Sequence, residues 1–346
     1  MIIILYFIII LLVYLNLKLY NKEHFDIRNE NLDLIPKIFL KEAKNLNISH
    51  EILNFNPSKI RLYSGKKSVI ITKMSYSFNE NDSVKIARNK FKTYNLLRQH
   101  KIPIPNFQLF QNINKDTKNQ IISKKYINYP LVAKIIDGAN GDHVYINIKN
   151  DSELSYSVDR IINNGFSNLM IEEFVEGFDH RVLVFNNKVI DILKRTPPFV
   201  IGDNEKSIKQ LVDIKNNERR NFGHRPIIID YYYLQKCNLN LEYIPKKNER
   251  IGVNPLSNFH KGADLNRVNI SSIHIDNIKL FEKVSKVMNL KILGIDFLTK
   301  DISISYKKMG KINEINGIPN LDLHYYADNL NKTNIHNRII KDFFQN

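Results

Sequence analysis

The 346-residue chain holds a single cysteine, Cys237. One thiol closes no disulfide within the chain and builds no cysteine-based metal site, so a reducing compartment is compatible with it. Acidic residues are scarce: 35 Asp and Glu stand against 51 Lys and Arg, giving a formal net charge of +16. Such a balance suits nucleic acid, an anionic membrane surface or phosphorylated ligands. The usual signs of a nucleic-acid binder, an RGG run, a zinc knuckle or a basic helix, are missing, and no nucleic acid is expected as a partner. A general richness in Lys, Asn and Ile, of the kind an AT-rich coding sequence yields, is a plainer source of the charge. The chain also lacks any internal repeat.

Charge is missing altogether from Met1 to Leu17, in the run MIIILYFIIILLVYLNL. A helix over residues 1–20 would be about 30 Å long, enough for a bilayer core. No basic stretch precedes the run and no small-residue cleavage site follows it, which argues against a removed signal peptide. Lys18, Lys22 and Arg28 lie just behind it. The positive-inside rule then predicts a single-pass membrane protein whose body faces the cytoplasm.

What remains is ordinary for a folded protein, 43% hydrophobic and 25% charged, and long enough for one large domain or two to three small ones. LIPKIFLKEAKNLN has helical spacing and SVIITKM is a strand candidate. Val84, Ala87, Phe91, Tyr94 and Leu97 repeat at helical spacing up to the stop IPIP. YPLVAKII and HVYINI read as strands around the turn-rich DGANGD. Asn150 and Glu153 form a capping box for the next helix. NLMIEEFVEG is a strand, HRVLVFNNKVIDILKR a hairpin turning at Asn186-Asn187, and SIKQLVDIKNN and NIKLFEKVSKVMNL are helices. ILGIDFLT and KINEIN are strands, and a last helix starts near Thr333. Hairpins with helices between them indicate an α+β class.

One short stretch carries chemistry by itself. In GKINEINGIPN, Glu314 and Asn316 stand two apart on a strand candidate, so both side chains face one side. Two oxygen donors at a turn suit a hard cation held together with phosphates. An edge strand with a wet face is the plainer reading of the fragment alone.

Other fragments fall in an order that carries more. Lys90 lies in ARNKFKTYNLLRQHKIPIP, and Lys134 ends PLVAK before DGANGD. MIEEFVEGFDHR holds Glu172, Glu173, Phe174, Val175, Asp179 and Arg181. Arg195 ends the hairpin, SNFHKGAD follows, GIDF gives Asp296, and NEINGIPN closes the series. This order resembles the ATP-grasp ligases over roughly residues 84–330. The insert VIGDNEKSIKQLVDIKNNERRNFGH looks like that of the ATP-grasp domain of cyanophycin synthetase and of bifunctional glutathione synthetases. SNFHKGA is similar to the matching stretch of RimK-type ligases.

The resemblance implies an ATP-grasp fold, two α+β subdomains gripping ATP, preceded by a short N-terminal α/β region and the transmembrane helix. The domains would be an anchor at 1–20, the short region at 21–83 and the ATP-grasp domain at 84–346. The last would divide into a nucleotide-lid part, 84–175, and a metal and substrate part, 176–346. Lys90 and Lys134 would bind phosphates, and Gly138, Asn140 and Gly141 would offer backbone N–H groups to them. Backbone groups of Glu172 to Val175 would read the adenine edge, Asp179 would bind the ribose and Arg181 would belong to the same nucleotide site. Asp296, Glu314 and Asn316 would hold two Mg²⁺ ions, or Mn²⁺ in their place. Arg195 would stabilise the transferred phosphoryl group. Lys261, with His260 and Asn258, would cover the acyl-phosphate or the incoming amine, and a lone His is more often structural.

The implied activity is an ADP-forming carboxylate–amine ligase acting on an amino acid or peptide. The sequence leaves a homo-oligomer open. A membrane-tethered ATP-binding protein without ligase activity is the alternative, and a polyanion-binding basic protein a third reading. His143 stands where the family commonly has a second Gly, Asn320 where a Gly usually follows the Pro, and Ala263 replaces one Gly of a pair. The chain also lacks the Mur-ligase-like half of cyanophycin synthetase. These departures touch substrate identity more than ATP binding.

Overall fold

The computed structural model describes residues 31–136, 138, 141–327 and 335–345. The polypeptide divides into two compact units, 1–78 with 336–346, and 79–335. The break falls at Phe78/Asn79 rather than 83/84, and the C-terminal helix goes with the first unit.

In the first unit, helix α1 (Leu34–Asn45) precedes an antiparallel sheet of β1 (Ser49–Phe55), β2 (Ser58–Ser64) and β3 (Lys67–Thr72). Ile35, Phe39, Leu40 and Ala43 recur at helical spacing and are buried, as are Ile60, Leu62, Val69 and Ile71 on the strands. The C-terminal helix, Ile335–Phe344, buries Ile339 and Ile340.

One expectation is corrected here. Among the described residues no helix is long and apolar enough to cross a membrane. The predicted span, 1–20, lies outside the described residues, and the reading of a single-pass membrane protein facing the cytoplasm is withdrawn.

The second unit begins with α2 (Asn81–Arg88) and α3 (Lys90–Gln99). The spacing predicts one helix, but the chain breaks at Asn89, which sits at φ −100°, ψ 105° and accepts the Lys92 N–H on its side chain. Asn competes for backbone partners and so favours a cap over a helix interior. Strands β4 (Phe107–Gln111), β5 (Leu131–Ile135), β6 (Val144–Ile148) and β7 (Asn168–Glu173) form an antiparallel sheet in the order β4-β7-β5-β6. Helices α4 (Lys118–Lys124) and α5 (Asp151–Asn163) cover it through Ile121, Leu154, Val158 and Ile161. Asn150 caps α5, but Glu153 accepts from the Lys149 N–H, so the capping box is only half made.

The hairpin β8 (Phe178–Phe185) and β9 (Lys188–Thr196) turns at Asn186 and Asn187, at φ 47° and 59°. Positive φ at both positions is what a two-residue hairpin turn demands. An insert follows: β10 (Phe199–Ile201), α6 (Ile208–Asn221), α7 (Tyr231–Lys236) and β11 (Arg250–Gly252). It has a small core of its own, built on Val200, Ile208, Val212 and Ile251. It also reaches the four-stranded sheet's helix α5. Tyr232 stacks on Tyr156 with ring centroids 4.2 Å apart and planes 12° from parallel, and Lys236 pairs with Glu153 at 2.7 Å.

Strand β12 (Asp264–Arg267), helix α8 (Ile275–Met288), strands β13 (Ile292–Thr299) and β14 (Lys311–Asn316), and the short α9 (Asp322–Tyr326) complete the unit. They assemble a second antiparallel sheet in the order β12-β9-β8-β13-β14. One face of this sheet packs Val182, Val184, Ile295 and Ile315 with Leu280, Phe281 and Val284 of α8. The opposite face carries the residues of interest.

Candidate functional site

Register alone sets that face. Directly opposed residues in an antiparallel pair share a side, as do residues two apart on one strand. Arg195 of β9 lies opposite Asp179 of β8, Arg181 lies opposite Asp296 of β13, and Asp296 lies opposite Glu314 of β14. Gly294, two before Asp296, lies opposite Asn316. The outcome is a sheet face with charge at position after position. A Cβ on Gly294 would come within 3.2 Å of the Arg181 Cδ and 3.3 Å of its Nη1, so glycine gives this arginine its room.

Asp296 is the hub. Its Oδ1 accepts from Arg181 Nε at 2.6 Å, and its Oδ2 lies 2.7 Å from Arg195 Nη2. The same Arg195 nitrogen reaches both oxygens of Asp179, at 2.8 and 2.7 Å. Arg181, Arg195 and Asp296 are all buried. Burial works against the charged form of Asp296, but the two guanidinium groups outweigh it and hold the carboxyl below its usual range. Burial also opposes the charge on Arg195, and the two carboxylates raise its pKa in spite of that. Asp179 fares differently. Its own burial pushes it up to about 6, with repulsion from Asp296 adding to the rise and Arg195 pulling against it.

Asp179 therefore makes a prediction about pH. Its folded-state pKa exceeds the unfolded value, so the native state takes up its proton first as pH falls. Stability should rise by about 1 kcal/mol between pH 7 and pH 5 from this group alone. Denaturation of the wild type and Asp179→Asn at both pH values checks it. Equal changes in the two proteins would remove Asp179 as the source.

The lysines come from the other side. Lys90, first residue of α3 and nearly buried, places its Nζ 2.9 Å from the Gly138 carbonyl and 3.5 Å from Glu314 Oε1. Lys134, on β5, pairs with Glu172 of β7 at 2.6 Å, both buried. Tyr94 Oη lies 3.1 Å from Glu172 Oε2 and 3.4 Å from Lys134 Nζ. The glycine-rich turn is fastened outside: Lys261 Nζ meets Asp142 Oδ1 at 2.7 Å, and Gly141, at φ +71°, lies against the Asn258 side chain. Asn140 lies outside the described residues.

The structure brings Lys90, Glu314, Asp296, Arg181, Arg195 and Asp179 into one connected group. It turns other expected residues elsewhere. Glu173 pairs with Lys311. The Glu173 and Phe174 N–H groups donate to the Asn106 and Pro130 carbonyls, so these two donors are already used within the fold. Glu172, on a strand flanked by β4 and β5, pairs on both sides. The Nδ2 of Asn316 is buried without a partner.

Sequence reasoning passed over two features. Tyr94 reads as one more core position on a helical stripe, although a buried tyrosine hydroxyl needs a partner. His324 on α9 is fully buried, its Nδ1 2.6 Å from Asp191 Oδ2, and Asp191 also pairs with Arg267. Burial lowers the His324 pKa against the pull of Asp191. Nothing local in the sequence joins residues so far apart.

A RimK-like ATP-grasp domain model matches residues 87–198. Cyanophycin synthetase of Crocosphaera subtropica is 30% identical over 256 residues, 70% of this chain and 28% of that protein. The chain belongs to the ATP-grasp superfamily. The bifunctional glutathione biosynthesis protein GshAB of Clostridium perfringens is 27% identical to this ATP-grasp chain over 88% of it and 40% of GshAB. A bifunctional glutathione synthetase from Pasteurella multocida shares the fold, with a TM-score of 0.63 at 21% identity, covering 92% of this chain and 44% of the other. The ATP-grasp chain thus spans less than half the length of each of these relatives.

Proposed function

We propose that this chain is an ATP-dependent carboxylate–amine ligase, forming an amide from an amino-acid or peptide carboxylate and an amine. One observation carries the reading. Lys90, on the helix beside the glycine-rich turn, meets Glu314 on the face where Asp296, Arg181 and Arg195 are joined. Cations from one side and hard oxygen donors from the other are what a magnesium nucleotide requires.

The donor set fits the ion. Asp296, Glu314 and Asn316 all offer oxygen, and the buried Asn316 Nδ2, a donor without a protein partner, would suit a phosphate oxygen beside the ion. When bound, Mg²⁺ would neutralise charge developing on the phosphates.

The residues then divide the work. Lys90 and Lys134 bind phosphate oxygens as point charges. Arg195, preorganised by Asp179 and Asp296, stabilises the phosphoryl group in transfer. Asp179 orients the ribose. Lys261 and Asn258 close over the reacting centre, and the glycine-rich turn excludes water. The substrate carboxylate takes the γ-phosphoryl group and ADP departs. The amine then attacks the acyl carbon, phosphate leaves with the C–O bonding electrons, and the amine surrenders a proton.

The test is ADP release from Mg·ATP by the purified protein, across a panel of amino acids and short peptides supplied as acid and amine. Acceleration at least tenfold over the protein without substrates is expected for one pair. Tight Mg·ATP binding with no acceleration across the panel would turn the reading to a nucleotide-binding protein without ligase activity.

A further inference from the structure

Helix α3 ties the two sheets of the second unit together through one face. Lys90 and Tyr94 are four residues apart and so lie on the same side of the helix. Each touches both sheets. Lys90 reaches the Gly138 carbonyl at the end of β5 and Glu314 on β14. Tyr94 reaches Glu172 and Lys134 on the four-stranded sheet and the Asn313 carbonyl on β14, the last at 2.6 Å. Asn313 immediately precedes Glu314.

The tyrosine is more than a filler of space. Its ring is fully buried, against Phe107 and beneath the Lys134 ammonium, 5.3 Å from the centroid. A buried hydroxyl is satisfied by a single acceptor. This one has three polar neighbours drawn from two sheets. It carries one proton and finds two acceptors for it, the shorter contact being with Asn313. Lys134 Nζ is held by Glu172 and also faces the hydroxyl oxygen. Burial, reinforced by the Glu172 charge, raises the phenol pKa well above normal, so the proton stays on the oxygen. A neutral donor in a place of low dielectric is a strong fixture.

We propose that Tyr94 is a positioning residue: its hydroxyl sets Lys134 of one sheet against the Asn313–Glu314 backbone of the other. The phosphate-binding lysine and the metal-side carboxylate are thereby presented as one unit. This rests on the nucleotide reading above and adds a residue and a coupling that the reading does not contain. The gain in nucleotide affinity that metal brings should depend on one phenolic oxygen.

The experiment is calorimetric titration of ADP with and without Mg²⁺, using the wild type, Tyr94→Phe, Glu172→Gln and the double variant. Melting temperatures are measured alongside. Phe keeps the ring and removes the bridge. The wild type should bind ADP more tightly with Mg²⁺ than without. In Tyr94→Phe the Mg·ADP affinity should fall about tenfold, the scale of a lost hydrogen bond to a charged group. Metal-free ADP affinity should change less than twofold. Glu172→Gln should act in the same direction, and the double variant should lose less than the sum. Glu172→Gln alone also serves should the Phe variant fail to fold. Equal weakening with and without Mg²⁺ would mark Tyr94 as a core residue only and overturn the proposal. So would a lowered melting temperature with unchanged Mg·ADP affinity. A wild type that binds no Mg·ADP would remove the nucleotide reading and this inference together, whereas a binding wild type with an unaffected Phe variant removes this inference alone.

Discussion

Asp296→Ala should lower the melting temperature by on the order of 10 °C. Breaking a buried ion pair from one side costs roughly 3–5 kcal/mol, and each kcal/mol moves a domain of this size by about 2–4 °C. Two guanidinium groups share this carboxylate, and both are buried. Removing it leaves Arg181 without its carboxylate partner and Arg195 with Asp179 alone. Neither arginine can neutralise itself, since a guanidinium stays charged at any accessible pH. Asp296→Asn should do less damage, because the amide oxygen still accepts one hydrogen bond. Scanning calorimetry of both variants decides the matter. A fall under about 3 °C for the alanine variant would show that water reaches the arginines and that the face is less dry than its packing implies.

Glu314→Gln should do the reverse, sparing the fold and abolishing turnover. The side chain is one-third exposed and lies 3.5 Å from Lys90, a contact an amide can keep in part. Stability should stay within about 0.5 kcal/mol, as for most substitutions at such positions. Once a substrate pair is found, ADP formation should drop by two orders of magnitude or more, because metal-borne charge stabilisation supplies several kcal/mol of the barrier. Raising Mg²⁺ concentration should restore part of the rate. A variant that turns over at the wild-type rate would take Glu314 out of the metal site.

Much of this arrangement was legible from residue spacing. The β8–β9 hairpin announced itself through Asn-Asn between two apolar runs, β13 through a nearly continuous apolar run, and β14 as the short strand KINEIN. Asp296, Glu314 and Asn316 were placed by motif, and sheet register brought them to one face. The break at Asn89 was hidden because apolar spacing runs straight through it, while capping depends on one side chain. The partners of Asp296 were hidden for another reason. The resemblance singled out Arg181 and Arg195 for nucleotide and phosphoryl contacts, and only the opposition of β8, β9 and β13 makes them partners of Asp296. Likewise, the second glutamate of EEFVEG promised backbone to a base. Its N–H already donates to the Asn106 carbonyl, a pairing that only the fold reveals.

The Tyr156–Tyr232 stack has a practical side. Residues 199–252 have their own small core and could tempt an engineer as a removable ornament. Excising them would strip an aromatic partner from α5, bare Glu153 to solvent and sever a tether that the glycine-rich sheet has besides α3. A trimmed chain would keep every proposed ligand for nucleotide and metal. It would surrender the aromatic and ionic contacts that tie the insert to α5 of the four-stranded sheet.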